Sequence, residues 1–365
     1  REFCQAEGQG RHYDLEDALV IAGFLNGFVR HADIVKMANM AQFVNVIAPV
    51  FTNEKGLFKQ TIYYPLQMFA QNVRGTALDV FVDGPTYDTK QFGIGLGEAP
   101  RWHEGALWLS DIVARKVLRV GADGQVLKML DTPGEPSGLG WLPDGTLLVV
   151  QMQEHEVWAH AHGKLRRYSG TAPMTRVKLN DMVVDRHGRA WVSSFGFDYE
   201  RGEPVAPTNL VCIDPGGHAW IADDNVWCPN GMAIDEAGET LFMGQSAAPE
   251  LLEFEIGANG VLKNRRVFGR LPEGAACDGI CVDRTQALWL ASPTTREFLR
   301  MERGGRITHR VPTGERHAIA CVLGGPQRRT LYCLTSATMS LRAAHGTRNG
   351  RIEQLEAPEP GAGVP

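Results

Sequence analysis

Two carboxylates and two amides each stand at or near the start of a short apolar run of this sequence: Glu98, Asn180, Asn230 and Asp278. Carboxylate and amide oxygens are the ligands that hard cations such as Ca²⁺, Mg²⁺ and Mn²⁺ prefer. Two carboxylates at one point would repel each other unless a cation lay between them. These residue types therefore indicate a divalent-cation site, provided that the fold brings the four positions together.

A plainer interpretation competes with this one. Asn and Asp often begin strands because their side chains cap turns, and that alone explains any single one of these residues about as well as a site does. Glu98 does not fit the plainer interpretation, since Glu is a poor turn residue. The convergence of all four on one axis is what distinguishes the two interpretations.

The four residues occupy equivalent places in a unit that occurs six times. Each copy has a small or polar opening residue, an alternating apolar run, a turn and a second apolar run, as in NGMAIDEAGETLFMGQS from Asn230. That order is typical of strand, tight turn and strand. A spacing of roughly 40 to 50 residues between copies is typical of β-propeller blades. The six opening residues are Glu98, Ser137, Asn180, Asn230, Asp278 and Ala320.

The sequence therefore predicts an all-β fold, a six-bladed β-propeller, over residues 91–357, preceded by a truncated α/β segment over residues 1–90. Equivalent positions of successive blades form a ring around the central axis of a closed propeller. Residues 358–365 are rich in Pro and Gly, and we expect a disordered tail there.

Four motifs, GEAPRW, LNDMVVD, PNGMAID and CDGICVD, resemble those of the senescence-marker-protein/gluconolactonase/luciferin-regenerating-enzyme (regucalcin-like) family over about residues 95–357. The resemblance implies a six-bladed propeller with one divalent metal in its central channel. It implies Glu98, Asn230 and Asp278 as metal ligands, with Asn180 bordering both metal and substrate. Diisopropyl-fluorophosphatase-like propellers place similar residues around calcium, so the constellation leaves the substrate open.

Two positions depart from the family pattern. Sugar-lactonase members carry an Arg two residues before the Asn of the third blade, and this chain has Lys178 there, which donates hydrogen bonds without a bidentate fork. The carboxylate that some members place on the following loop has Asp198 as its only candidate here. We expect Asn180, Lys178 and Asp198 to contact the substrate, and the aromatic loop around Phe195 to admit a different lactone.

The implied function is a metal-dependent lactonase that opens a small sugar lactone such as glucono-, xylono- or arabinonolactone. A bound cation would polarise the lactone carbonyl and lower the pKa of water. Asp278 would be both ligand and proton acceptor, hence the catalytic residue. The cofactor is one divalent metal ion, and the sequence leaves open Ca, Zn, Mg, Mn or Fe. Two alternatives remain: a calcium-dependent phosphotriesterase-like hydrolase, and a non-enzymatic propeller that binds a partner and uses the metal for stability.

Residues 1–90 follow a different pattern. Helical spacing of apolar residues over 18–29 and 33–40 alternates with predicted strands over 44–50 and 77–82, as in a βα barrel. Residues 13–89, including NGFVRHADIVKMANM and ALDVFVDGPTYDT, resemble the last part of the barrel of family 51 α-L-arabinofuranosidases. The two catalytic carboxylates of that family precede this part, and a complete barrel needs roughly 250 residues. We expect no glycosidase activity from this segment.

The composition excludes several classes of protein. A chain of 365 residues that is 44% hydrophobic has ample core, and its net charge of −5 gives no electrostatic reason to bind nucleic acid or an anionic membrane. No apolar run is long enough to span a bilayer. Seven cysteines without a CxxC pair favour free thiols in a reducing cytoplasm. The expected partner is a small lactone, and the sequence does not determine the oligomeric state.

Overall fold

The computed structural model describes residues 15–30, 49–53, 56–72, 93–122 and 124–364. The chain divides into two compact units, residues 1–82 and 83–365. The boundary lies close to the predicted one at residue 90. The predicted helix over 33–40 and the predicted strand over 77–82 lie outside the described residues, as does most of the predicted strand over 44–50.

The described part of the first unit consists of two helices and one hairpin. Its elements are α1 (Leu15–Arg30), β1 (Val50–Asn53), β2 (Gly56–Lys59) and α2 (Tyr63–Asn72). Helix α1 matches the predicted apolar pattern, and Glu16 and Asp17 lie in its first turn, where the helix dipole favours negative charge. The two strands pair antiparallel, whereas neighbouring strands of a βα barrel are parallel. None of the helices in the described residues is both long and apolar enough to cross a membrane.

The second unit is a six-bladed β-propeller, which confirms the predicted fold. Its first three blades are four-stranded antiparallel sheets in which sequence order equals spatial order. Blade 1 is β3 (Gly97–His103), β4 (Ala106–Asp111), β5 (Lys116–Val120) and β6 (Val126–Asp131); blade 2 is β7 (Pro136–Trp141), β8 (Leu147–Gln151), β9 (Glu156–Ala161) and β10 (Lys164–Gly170); blade 3 is β11 (Leu179–Val184), β12 (Ala190–Ser194), β13 (Thr208–Ile213) and β14 (Ala219–Val226).

The remaining three blades follow the same order, with three strands in blade 6 among the described residues. Blade 4 is β15 (Pro229–Ile234), β16 (Thr240–Gln245), β17 (Glu250–Ile256) and β18 (Leu262–Arg270); blade 5 is β19 (Ile280–Val282), β20 (Leu288–Ser292), β21 (Glu297–Glu302) and β22 (Arg306–Pro312); blade 6 is β23 (His317–Gly324), β24 (Thr330–Ser336) and β25 (Gly350–Glu356). A short helix, α3 (Leu341–Ala344), lies between β24 and β25.

The first strands of the blades form a closed inner ring. Strands β3, β7, β11, β15, β19 and β23 each contact the next, and β23 contacts β3. In five of the six, the pairing register shifts at or near the opening residue, as between Pro229 and Met232. A β-bulge of this kind re-aims a side chain out of the regular alternation of a strand. The bulges explain how a residue in a buried strand can face the central channel.

A glycine directly after the opening residue, such as Gly231 or Gly279, lets neighbouring inner strands approach closely. A Cβ on Gly231 would lie 2.3 Å from the backbone nitrogen of Ile280, and one on Gly279 would lie 2.4 Å from the Cβ of Ala320. The Gly279 amide also donates to the carbonyl of Ile319, so blades 5 and 6 are joined by a backbone hydrogen bond at the axis. Larger side chains at these positions would force the ring open.

The apolar core lies between successive blades. Trp191 of blade 3 is fully buried against residues of blade 4 such as Met232, and Trp289 of blade 5 packs with residues of blade 6 such as Leu331. These two tryptophans are therefore part of the core between blades. Burying apolar area between blades is what holds the closed ring together.

The described part of the C-terminal tail is ordered, so the prediction of a disordered tail is wrong for residues 358–364. Gly361 pairs with Asp283 of blade 5, and Val364 pairs with Ile234 of blade 4. A Cβ on Gly363 would lie 1.9 Å from the carbonyl oxygen of Ile234. The glycines that suggested disorder therefore serve close backbone approach instead.

Candidate active site

The charges of the Glu98 and Asp278 carboxyls interact at the inner ring. Glu98 is buried in β3, and its Oε2 accepts a hydrogen bond of 2.8 Å from the amide of Ala99, whose φ is 47°. Burial, followed by the charges of Asp278 and Asp181, raises the pKa of Glu98 well above its usual value. Burial raises the pKa of Asp278 to about 8, against a hydrogen bond from Asn230 that lowers it. Burial therefore favours the protonated form of both carboxyls.

The two amides of the ring have buried polar atoms without partners. Asn230 donates from Nδ2 to the hydroxyl of Ser246 over 3.0 Å, but its Oδ1 makes no hydrogen bond. Asn180, in β11, is buried with an unpartnered Nδ2, and a half-turn of its amide group would present the oxygen there instead. Buried polar atoms without partners are costly, so each of these calls for a ligand.

A buried ion pair supports the ring from one side. Arg101 of β3 donates from Nη2 to Asp181 over 2.6 Å and to the carbonyl of Met182, and from Nε to the carbonyl of Leu139. It thereby ties blade 1 to blades 2 and 3. Asp181 is the residue that follows Asn180, so this pairing holds the backbone on which Asn180 stands. The charge of Asp181 also raises the pKa of both Glu98 and Asp278.

Lys178 lies two residues before Asn180 and is only 5% exposed. Its ammonium lies 4.8 Å from the ring centroid of Phe195 and 4.9 Å from that of Tyr199. The Phe195 amide donates to the Lys178 carbonyl over 2.8 Å, which fixes the loop beside the lysine. Burial lowers the pKa of Lys178, while the charges of Glu200 and Asp198 raise it.

The structure gives Asp198 a different role from the predicted one. Its carboxylate caps a short 3-10 helix (Tyr199–Arg201) by accepting from the amides of Glu200 and Arg201, and it pairs with the Arg201 side chain at 3.3 Å. The structure thus shows a structural role for this carboxylate, and the substrate contact at Asp198 stays a prediction.

The same loop reaches across to blade 6. Glu200 accepts hydrogen bonds from the amide of Leu341 over 3.0 Å and from the hydroxyl of Ser340 over 3.4 Å. Phe195 packs against the apolar cluster that includes Leu341 and Ala344. The loop of blade 3 and the short helix of blade 6 thus meet through Glu200.

Sequence reasoning gave no role to Arg101 and Asp181, and it placed Tyr199 only on a loop that could overhang the pocket. Arg101 and Asp181 lie one to three residues beyond ring positions in the repeat, so the repeat register could have identified them. Tyr199 depends on the path of a loop that belongs to one blade only, and no repeat signals it.

The donor set fits a hard divalent cation. Glu98 and Asp278 supply charge, and Asn180 and Asn230 supply amide groups whose buried atoms are unsatisfied. No cluster of three or more His, Cys, Asp and Glu suited to a metal occurs in the described ranges. The six cysteines in the described ranges are buried free thiols, as the sequence predicts.

Comparison with known proteins places the propeller in a family. The family model described as SMP-30/Gluconolactonase/LRE-like region matches residues 96–338. Three solved structures are similar: regucalcin from Agrobacterium tumefaciens, a calcium-binding protein (18% identity, TM-score 0.61, 77% of this chain and 97% of that one); a gluconolactonase from Xanthomonas campestris (24%, 0.58, 72% and 86%); and a luciferin-regenerating enzyme (17%, 0.64, 77% and 99%). At these identities the structures support the fold alone.

Curated relatives match a small part of the chain. An intracellular exo-alpha-(1->5)-L-arabinofuranosidase of Streptomyces lividans is 45% identical over 83 residues, which are 22% of this chain and 12% of that enzyme. One from Halalkalibacterium halodurans is 46% identical over 81 residues, 22% and 16%. The chain thus spans less than a quarter of these relatives, and the resemblance to part of an arabinofuranosidase is confirmed.

Proposed function

The chain belongs to the SMP-30/gluconolactonase/LRE-like family, and we propose on that basis that it is a metal-dependent hydrolase of small lactones. The observation that carries the proposal is the inner ring, where two carboxyls with raised pKa adjoin two buried amides with unsatisfied atoms. A propeller used only as a scaffold has no need of such an arrangement, because each of these groups costs stability.

Glu98, Asn230 and Asp278 would hold one divalent cation, with Asn180 at its border. When bound, the cation would supply Lewis-acid polarisation of the lactone carbonyl. The oxygen-rich donor set favours Ca²⁺, Mg²⁺ or Mn²⁺ over softer metals. A carboxyl must lose its proton to bind a cation, so binding should tighten as the pH rises towards about 8, the raised pKa of Asp278.

Asp278 is the residue that we assign as general base. It is half-buried and more exposed than Glu98, which is 8% exposed, and it can therefore contact a water molecule. It takes a proton from that water as the oxygen attacks the lactone carbonyl carbon; the ring C–O bond then breaks, and the released oxygen takes the proton back from Asp278 to give the hydroxy acid. The hydrogen bond from Asn230 holds the Asp278 carboxylate in orientation.

Asn180 and Lys178 are positioning and charge-stabilising groups in this proposal. The unpartnered amide of Asn180 and the ammonium of Lys178 can donate to the oxygen that becomes negative as the carbonyl is attacked. Arg101 and Asp181 do not touch substrate in this proposal. They fix the backbone on which Asn180 stands.

Hydrolysis of a lactone panel, with and without a chelator, tests this function. The panel contains glucono-, xylono- and arabinonolactone, together with a phosphotriester. We expect lactone hydrolysis that stops when the cation is removed and returns when Ca²⁺, Mg²⁺ or Mn²⁺ is added. Hydrolysis of the phosphotriester alone would favour the phosphotriesterase alternative. Calcium-dependent stability without any turnover would favour the binding module.

The first unit is not needed for this chemistry in our proposal. Residues 1–90 resemble a part of an arabinofuranosidase that lacks both catalytic carboxylates, and all proposed site residues lie in the second unit. We therefore propose a domain division of 1–90 and 91–364, with activity in the propeller. The free thiols are consistent with a reducing cytoplasm.

A further inference from the structure

The hydroxyl of Ser246 connects residues of the inner ring that come from two different blades. Ser246 directly follows the second strand of blade 4 and is half-buried. Its Oγ donates to the carbonyl of Cys277 over 2.7 Å, and Cys277 directly precedes Asp278 of blade 5. The same Oγ accepts from Nδ2 of Asn230 over 3.0 Å. One hydroxyl therefore contacts the side chain of one proposed cation ligand and the backbone beside another.

The number of hydrogens determines the direction of these two hydrogen bonds. A hydroxyl has a single proton and a carbonyl oxygen can only accept, so the proton of Ser246 goes to Cys277. The thiol of Cys228 also lies beside this hydroxyl, but sulfur accepts weakly and does not compete with the carbonyl. The atom that Asn230 turns towards Ser246 must therefore be a donor, which is its amide nitrogen. Because the oxygen and the nitrogen lie on different branches of a planar amide, the oxygen then points away from Ser246.

The amide oxygen of Asn230 is buried and has no partner among the described residues. An amide whose nitrogen is hydrogen bonded and whose buried oxygen is not is prepared for a cation. Asp278 also receives a hydrogen bond from Asn230, but its carboxyl is itself a proposed ligand that must be positioned. Ser246 is not a proposed ligand, and its own amide donates to the carbonyl of Cys228 over 2.9 Å, which fixes its backbone.

Blade 3 provides an internal comparison, because its corresponding strands lack this serine. The strand registers place Phe195 of blade 3 where blade 4 has Ser246. Phe195 has no hydroxyl, and Nδ2 of Asn180 is buried without a hydrogen bond in the part of the chain that the structure describes. The amide of Asn230 is thus held by a group that the amide of Asn180 lacks. This difference agrees with a ligand role for Asn230 and a border position for Asn180.

We propose that Ser246 is a positioning residue, which fixes the amide of Asn230 so that its oxygen, and not its nitrogen, faces the bound cation. This inference rests on the cation site of the proposed function. It requires no contact between Ser246 and the cation or the substrate. Without the hydroxyl, the amide can turn by half a rotation and direct its N–H groups at the cation. Loss of a group that orients a metal ligand typically lowers metal affinity about 10- to 100-fold.

Calorimetric titration of chelator-treated full-length protein with Ca²⁺, and separately with Mn²⁺, tests this inference at pH 8 without turnover. We expect Ser246→Ala to raise the Kd by about 10- to 100-fold. Ser169→Ala is the matched control and should leave the Kd unchanged. The Ser169 hydroxyl also joins two blades, since it donates to the carbonyl of Gly217 over 2.8 Å, but it lies on an outermost strand. Tryptophan fluorescence checks that the variants fold, because all eight tryptophans lie in the propeller.

A symmetric side chain at position 230 separates orientation from packing. Either oxygen of a carboxylate can bind a cation, so Asn230→Asp has no wrong orientation for Ser246 to prevent. In the Asn230→Asp background, Ser246→Ala should therefore change the Kd by no more than about twofold, the resolution of a double-mutant cycle.

The outcomes separate this inference from the hydrolase proposal. An unchanged Kd in Ser246→Ala, or an equal loss of affinity in the Asn230→Asp background, overturns the positioning role and leaves lactone hydrolysis intact. A wild-type protein that binds neither cation also overturns the positioning role. The expected pattern of Kd values in a protein that turns over no lactone supports the positioning role and overturns the hydrolase.

Discussion

Once the cation has been removed, the propeller should become less stable as the pH rises. The carboxyl of Asp278 has an ordinary pKa of 3.8, which burial raises to about 8 in the folded chain. Between these two pH values the unfolded chain has lost the proton while the folded chain retains it. A group whose pKa is raised by folding contributes most stability at low pH, and the contribution disappears as the pH rises through the folded pKa. The free energy of unfolding should therefore fall from about pH 4 to about pH 8.

The size of the effect follows from the pKa difference. Each pH unit between the two values changes the free energy of unfolding by about 1.4 kcal/mol per group. Asp278 alone thus accounts for on the order of 4 kcal/mol between pH 5 and pH 8. Glu98, whose pKa burial and the charge of Asp278 raise, acts in the same direction.

Urea unfolding of chelator-treated protein at several pH values measures this slope. Tryptophan fluorescence reports the propeller alone, since all eight tryptophans lie between residues 102 and 289. Asp278→Asn removes the titrating group and keeps the shape, so its slope should be flatter by about 1.4 kcal/mol per pH unit. Asp224→Asn, at an exposed position, is the matched control and should leave the slope unchanged.

Saturating Ca²⁺ should restore stability at pH 8, because a ligand that binds only the folded state stabilises it. Two results would refute the reasoning. The first is an equal slope in wild type and Asp278→Asn, which would mean that this carboxyl is not the origin of the pH dependence. The second is a slope that no divalent cation alters, which would mean that the ring does not bind one.

The remaining predictions concern activity and packing. Asp278→Asn should lower kcat by ~100-fold or more while retaining some cation binding, and full activity in this variant would exclude it as the base. Asn230→Ala should weaken cation binding, measured by calorimetry, with activity partly restored by excess cation; loss that no excess restores would contradict a ligand role. Residues 92–365 alone, if soluble, should retain lactonase activity at the level of the full chain, and its loss would show that the first unit contributes. Gly231→Ala should lower stability by about 1 to 3 kcal/mol, seen in urea unfolding, because its Cβ would meet Ile280; an unchanged midpoint would mean that the ring can open.

The sequence was sufficient for the architecture, while the convergence of the four opening residues on one cation stays a prediction. The repeat register assigned Glu98, Asn180, Asn230 and Asp278 to equivalent places before any coordinates were considered, because blade geometry repeats with the sequence. It did not reveal the β-bulges beside Glu98, Asn180 and Asn230, since a bulge depends on pairing with the neighbouring strand.

The repeat could not predict features that occur in one blade only. Asp198 was expected to bind substrate because of its place in the loop, yet the path of the loop turns its carboxylate towards the amides of Glu200 and Arg201. The tail was expected to be disordered from its Pro and Gly content, and it instead pairs with Ile234 and Asp283. In both cases a long-range contact or a local backbone turn overrides composition.

Closing the propeller buries the same carboxyl groups that the proposed chemistry needs in their charged form. The inner strands approach closely only because residues such as Gly231 and Gly279 are small, and that approach buries whatever the opening residues carry. Glu98 and Asp278 are therefore desolvated by the fold itself, before any ligand is considered. Their charge is unfavourable there unless a cation offsets it. A ring of apolar residues would give a more stable propeller at neutral pH. A ligand that offsets the free-energy cost of burying the two carboxyls thus best explains their presence. The pH-dependent stability of the cation-free protein measures that cost.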